Sequence, residues 1–173
     1  MNMTIKARKT KSPYDIRNMS IDDVIEYASQ LARNELSWLK DDEPITSSGR
    51  LYRLIKASLA TTHEEIFKVV FMNNQHEVIS VEDMFRGTIN SCSVYPRTII
   101  KRALELNAAA IAIAHNHPSG IAEFSQNDLD ITKRIATACK LVDIRLLDHV
   151  LVHGWDYTIM SETYPSYLVG RDD

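Results

Sequence analysis

The sequence predicts an α/β fold, a layered mixed β-sheet flanked by helices. Three observations carry this. Stretches with apolar residues at helical spacing are interspersed with β-rich runs. Some of those runs are joined by tight turns, as in hairpins, and others by helical segments long enough to be crossovers. Residues Ala109 to Ala114 form a short, fully apolar run suited to a strand buried on both faces.

Taken in order, residues 1–19 hold Lys6, Arg8, Lys9, Lys11 and Arg17 against the lone Asp15, and read as a solvated basic arm. Ser20-Ile21-Asp22-Asp23 is a capping-box-like start with Asp in place of the usual Glu. Ile21, Val24, Ile25, Ala28, Leu31 and Ala32 then repeat at helical spacing. Lys40-Asp41-Asp42-Glu43-Pro44 is a charged, proline-stopped linker, which places an N-terminal extension at 1–45, a domain at 46–165 and a tail at 166–173. Leu51, Leu54, Ile55 and Leu59 predict a helix from Ser48 to about Ala60. Glu65–Met72 and Glu77–Val81 read as two strands of a hairpin turning at Asn73-Asn74-Gln75-His76, and a third strand is expected over Thr88–Val94. Pro96 suits the first turn of a helix carrying Ile99, Ile100, Ala103 and Leu104. After the apolar run at 109–114, Ser125 starts a further helix with Asp128 three residues on, and Ile144–Val152 and Tyr157–Met160 supply closing strands.

Composition bounds the function. A chain of 173 residues with 45% apolar and 25% charged residues is of ordinary globular make-up, able to form a core without disulfides or a structural metal. Twenty basic against twenty-three acidic residues leave a formal charge of −3, so no global field points to nucleic acid or anionic membrane. Cys92 and Cys139 lack CxxC spacing, which fits a reduced cytosol better than a zinc knuckle or a secreted framework. No apolar stretch approaches membrane-spanning length and the basic N-terminus lacks a signal-like apolar region, so a soluble, cytoplasmic protein is expected.

The chemistry converges on His115-Asn116-His117-Pro118-Ser119-Gly120, where an apolar strand ends and a loop begins. Residues i and i+2 of a strand share a face, so His115 and His117 can offer two imidazoles to one ion. If Ser125 caps the next helix, Asp128 lies in its first turn and can face back across the loop as an anionic third ligand. Two histidines and a carboxylate leave a fourth tetrahedral position for water, the arrangement of a hydrolytic rather than a structural zinc. Such a water needs a base, and Glu64 and Glu65 open the first strand. Alternation does not decide between them, because both registers of that strand carry core-like residues. His149 and His153, at i and i+4 on a strand, read as satisfied histidines rather than ligands, with Asp148 orienting His149. Three adjacent letters HNH do not make the nuclease of that name, and there is no phosphate-binding glycine motif.

These residues resemble the RadC-like branch of the JAB/MPN metalloproteins, whose JAMM pattern is a glutamate, then His-x-His, seven residues, Ser, two residues and Asp. His115, His117, Ser125 and Asp128 match at that spacing. Phe71-Met72-Asn73, Gly87-Thr88, Tyr95-Pro96-Arg97 and Ile144 to His149 extend the likeness over Glu65–Met160. The resemblance implies the JAB/MPN, cytidine-deaminase-like fold, one zinc on His115, His117 and Asp128, Glu65 as the base that activates water, and Ser125 as a donor to the oxyanion, beside its role as helix cap. The chain departs from the family at Thr98, where glutamate is usual, and at Phe124, where a proline usually precedes the serine. Its extension has no helix-hairpin-helix pattern, so it resembles the short RadC-like proteins of prophages and mobile elements.

Three functions are thereby weighed. The leading one is a zinc-dependent JAMM hydrolase cleaving a peptide or isopeptide bond of an unspecified protein substrate. The second is a DNA-associated repair factor, which the family's historical name and the basic arm favour. The third is a zinc-binding docking module without catalysis, against which the complete ligand set with Glu65 argues.

Overall fold

A computed structural model describes residues 19–38, 48–87 and 94–168. The elements are α1 (Ile21–Trp38), α2 (Ser48–Leu59), β1 (Ile66–Met72), β2 (Val78–Arg86), α3 (Pro96–Glu105), β3 (Ala110–His117), α4 (Gln126–Lys140), β4 (Arg145–His153), β5 (Asp156–Ile159) and the single turn α5 (Met160–Thr163). The sheet runs β2-β1-β3-β4-β5; β3 and β4 are parallel and the other pairs antiparallel. A mixed α/β sheet flanked by helices is what the sequence predicts. Among the described residues no helix is long and apolar enough to cross a membrane.

The sheet is covered on both faces, which explains the apolar runs. Ile66, Val70 and Met72 of β1 join Ala110, Ala112 and Ala114 of β3 and Val150 and Val152 of β4 beneath Leu51, Ile55 and Leu59 of α2. On the other face Phe67, Val69 and Phe71 pack with Ile111 and Ile113 against Ile99 and Ala103 of α3 and Ile131, Ile135 and Cys139 of α4. Every residue of β1 is buried, so alternation is invisible in its sequence. Its one polar member, Lys68, is satisfied by an ion pair with the cross-strand Asp83. Burial pushes the Cys139 thiol up to about 12, which makes it an inert core residue. Beyond β5, Met160 and Leu168 close a smaller cluster over Phe124, Leu129 and Leu151. α1 lies against α2, where the buried Ser29 accepts a 3.0 Å hydrogen bond from Thr61 Oγ1.

Two local expectations change. β2 does not stop at Val81 but continues to Arg86, because on this sheet edge Glu82 and Asp83 find cations: Arg102 clamps Glu82, and Lys68 and Arg86 hold Asp83. Met160 opens the helical turn α5 rather than ending a strand. Of the strand expected over 88–94, residues 88–93 lie outside the described residues, as do the basic arm and the Lys40–Pro44 linker, and Val94 is buried but not in a strand.

Ile55 is wholly buried where α2 seals the sheet. Ile55→Ala is expected to cost about 2–5 kcal/mol in urea unfolding; a loss below about 1 kcal/mol would show that α2 does not seal that face.

Candidate metal centre

The centre is built at the end of β3, where strand alternation splits three consecutive polar residues between the two faces. His115 and His117 point toward α4, and Asn116 points toward α2. Asn116, 3% exposed, clamps the chain leading into β1. Its Oδ1 accepts from the Ile66 N–H at 2.8 Å, and its Nδ2 donates to the Glu64 carbonyl at 3.0 Å. Glu65 sits between these two anchors. Phe67 pairs with His115 across the β1/β3 ladder, so Glu65, two residues earlier, projects on the histidine face, whereas Glu64 is exposed.

Asp128 arrives by helix capping. The Ser125 backbone N–H and hydroxyl both donate to Asp128 Oδ2, at 2.7 and 2.6 Å, while the Asp128 N–H donates to Ser125 Oγ at 3.2 Å. This reciprocal box fixes the carboxylate on the first turn of α4 and commits one of its oxygens. The other, Oδ1, is buried and has no hydrogen-bond partner. Ser125 thus serves as the expected cap, and its hydroxyl proton rests on Asp128.

Glu65, His115, His117 and Asp128 come together, with one ligand atom from each lying within 4.8 Å of the others. His117 Nδ1 faces the Ile121 carbonyl at 3.0 Å, which only a ring N–H can satisfy, so in the neutral ring Nε2 keeps its lone pair. The Nε2 atoms of His115 and His117 are 3.1 Å apart, and they lie 3.2 and 3.4 Å from the two oxygens of Asp128. A proton on one nitrogen bridges only one neighbour, whereas a cation serves every lone pair at once. The orphaned Oδ1 and the facing nitrogens therefore fit a divalent ion taking imidazole and carboxylate ligands. The electrostatics agree. Burial opposes ionisation of Asp128, but the adjoining His115 and His117 rings and the Ser125 hydroxyl outweigh it and hold the carboxyl well below the usual carboxylate range. Hydrogen bonding to Asp128 raises the His117 pKa more than burial lowers it.

Two participants lie outside the JAMM spacing. His149 is wholly buried with its Nε2 2.8 Å from His115 Nδ1, and Thr132 touches the far side of its ring. Burial lowers the His149 pKa well below the ordinary value, so the ring is neutral. As expected it is a satisfied histidine, but what satisfies it is a ligand of the cluster. Nothing in the sequence signalled this contact, because it depends on the pairing of β4 with β3. His153 contacts Thr158 Oγ1 at 3.0 Å and stands outside the cluster. Asp148 does not meet the His149 ring as expected: its carboxylate accepts the His149 backbone N–H at 2.8 Å and also holds Tyr52 and Ser161, while the ring is held by Thr132 and His115.

Fold and site define an α/β protein with a His/Asp/Glu cluster, fit to hold a metal ion, at the end of its central strand. A family model for the RadC-like JAB domain matches residues 45–164, and the chain belongs to that family. The UPF0758 protein PBPRA0202 of Photobacterium profundum is 49% identical over 124 residues, covering 72% of this chain and 55% of that protein. The UPF0758 protein lpg2489 of Legionella pneumophila is 44% identical over 131 residues, 75% of this chain and 58% of its own. An Aliivibrio fischeri relative, UPF0758 protein VFMJ11_0123, is 48% identical over 124 residues, 72% of this chain and 55% of that one. The chain thus spans little more than half the length of these curated relatives.

Two outcomes follow from this geometry. Zn²⁺ at a hundred times its Kd is expected to stabilise the chelator-stripped protein by about 2.7 kcal/mol in thermal or urea unfolding, and the double mutant His115→Ala/His117→Ala to show no such gain. Asn116→Ala leaves the Ile66 N–H and Glu64 carbonyl without their partner and is expected to cost about 1–3 kcal/mol while zinc still binds; an unchanged urea midpoint would rule out the clamp.

Proposed function

We propose that the chain is a zinc-dependent hydrolase of the JAMM type that cleaves a peptide or isopeptide bond, with the ion held by His115, His117 and Asp128. The observation that carries this reading is Glu65. Glu65 is half-buried and meets the cluster from the start of β1, and in this reading it is the base beside a three-ligand site whose fourth position is left to water, as hydrolysis requires. Zinc in such a site supplies Lewis-acid chemistry and lowers the pKa of water to about 7.

The chain's own groups do the rest. Glu65, pinned by the Asn116 clamp on either side of it, accepts the proton of the attacking water and returns it to the leaving nitrogen. The Ser125 hydroxyl, now donating to Asp128, is the oxyanion donor in this reading; its proton must turn toward the substrate oxygen as negative charge develops there. Substrate reaches these groups along an open groove of about 710 Å³ lined by His63, Glu65, Arg86, His117 and Ser119, wide enough for an extended chain segment.

Cleavage of a peptide library by the zinc-loaded protein tests the reading. Glu65→Gln should keep the metal and lose about 10²-fold or more in kcat/KM, while Glu64→Gln stays near wild type because Glu64, although it lines the groove, is not among the residues that converge on the cluster. Ser125→Ala should lose about 10- to 10³-fold if the hydroxyl meets the oxyanion, and mainly about 1 kcal/mol of stability if it only caps α4. Equal cleavage by wild type and Glu65→Gln would remove Glu65 as the base, and no cleavage by the zinc-loaded wild type would leave a metal-binding module in place of an enzyme.

A further inference from the structure

His115 can serve a metal only if its Nε2 is free of hydrogen, and the ring alone does not dictate which nitrogen carries the proton. The surroundings do. Thr132, one turn after Asp128 on α4, places its Oγ1 2.6 Å from the Asp128 backbone carbonyl and 2.6 Å from His149 Nδ1. A carbonyl oxygen only accepts, so the single hydroxyl proton lies toward it. Oγ1 therefore turns a lone pair to His149, whose Nδ1 must be the N–H. His149 is 0% exposed and packed by the rings of Phe67 and Phe124, surroundings that exclude a charged imidazolium. With its one proton on Nδ1, its Nε2 is an acceptor, and His115 Nδ1 at 2.8 Å must donate to it. His115 Nε2 is left with its lone pair facing Asp128 and His117.

We propose that His149 is a positioning residue, the middle of a relay from the Asp128 carbonyl through Thr132 to His115 that locks His115 in the tautomer able to bind metal. The relay begins on the backbone of one ligand and ends on the ring of another, so it ties the orientation of His115 to the seating of α4 on β4. Thr132 is fully buried, as a residue that must hold one hydroxyl rotamer should be. The consequence for affinity rests on the metal-binding reading above; the tautomer itself does not.

The test uses the full chain, ¹⁵N-labelled at histidine and stripped of metal with a chelator. Long-range ¹H–¹⁵N spectra are expected to show both His115 and His149 protonated on Nδ1. Thr132→Val keeps the side-chain shape but removes the acceptor, freeing His149 to carry its proton on Nε2 and drive the His115 proton to its own Nε2. It is expected to show mixed His115 tautomers and to bind Zn²⁺ about 10- to 100-fold more weakly, and Thr132→Ser is expected to restore both. His115 found protonated on Nε2 in the wild type would overturn the relay, a result that needs no variant to fold. So would Thr132→Val with wild-type tautomers and zinc affinity. If the wild type shows the stated tautomers yet binds no zinc, the relay stands and the metal-binding reading falls.

Discussion

The site depends on one constraint, the two-residue alternation of β3 where that central strand runs out of the sheet. Because β3 is flanked by β1 and β4, its backbone is fixed on both edges and its side chains have only two directions available. At 110–114 both directions lead into apolar layers, and the strand is filled with Ala and Ile. At 115–117 the same geometry delivers two imidazoles to one face and an amide to the other. The imidazoles create the lone-pair cluster, and the amide fixes the neighbouring strand so that Glu65 meets it. A shift of one residue would exchange the faces and abolish both.

Burying this cluster is costly, and the structure shows what offsets the cost. A wholly buried carboxylate and histidine would ordinarily be expelled or neutralised. Here each polar atom directed away from the centre is satisfied: His117 by the Ile121 carbonyl, His115 by His149, His149 by Thr132, and Asp128 Oδ2 by Ser125. What remains unsatisfied points inward. The deficit is thus concentrated at one point, where a single cation can relieve it, rather than spread through the core.

The gathering of His115, His117 and Asp128 was legible in the sequence because it is local: a strand i, i+2 pair and a Ser-x-x-Asp box are short-range patterns whose geometry is fixed by the element they sit in. Most of the sheet was legible for the same reason. The choice between Glu64 and Glu65 was not, because β1 is buried on both faces and only its pairing with β3 reveals its parity. The reach of β2 to Arg86 was hidden because its acidic residues look loop-like until Arg102, sixteen residues beyond Arg86 in the chain, folds back on Glu82. Asn116 and His149 were hidden in their roles, since one acts on a segment about 50 residues earlier and the other on a neighbouring strand. Long-range contact is the quantity that a pattern read along the chain does not contain.

The use of Asp in place of Glu in the α4 capping box has a chemical sense. In such a box the carboxylate reaches back to the cap residue's N–H, which a Glu does with a longer stem. With the shorter Asp128, one oxygen is consumed by Ser125 while the other faces His115 Nε2 at 3.2 Å. The local device that starts the helix therefore also sets the direction of the anionic ligand, and Thr132, one turn on, uses the same helix to set the direction of the imidazole. Capping and backbone hydrogen bonding in the first two turns of α4 therefore aim both side chains at the cluster through the same helix.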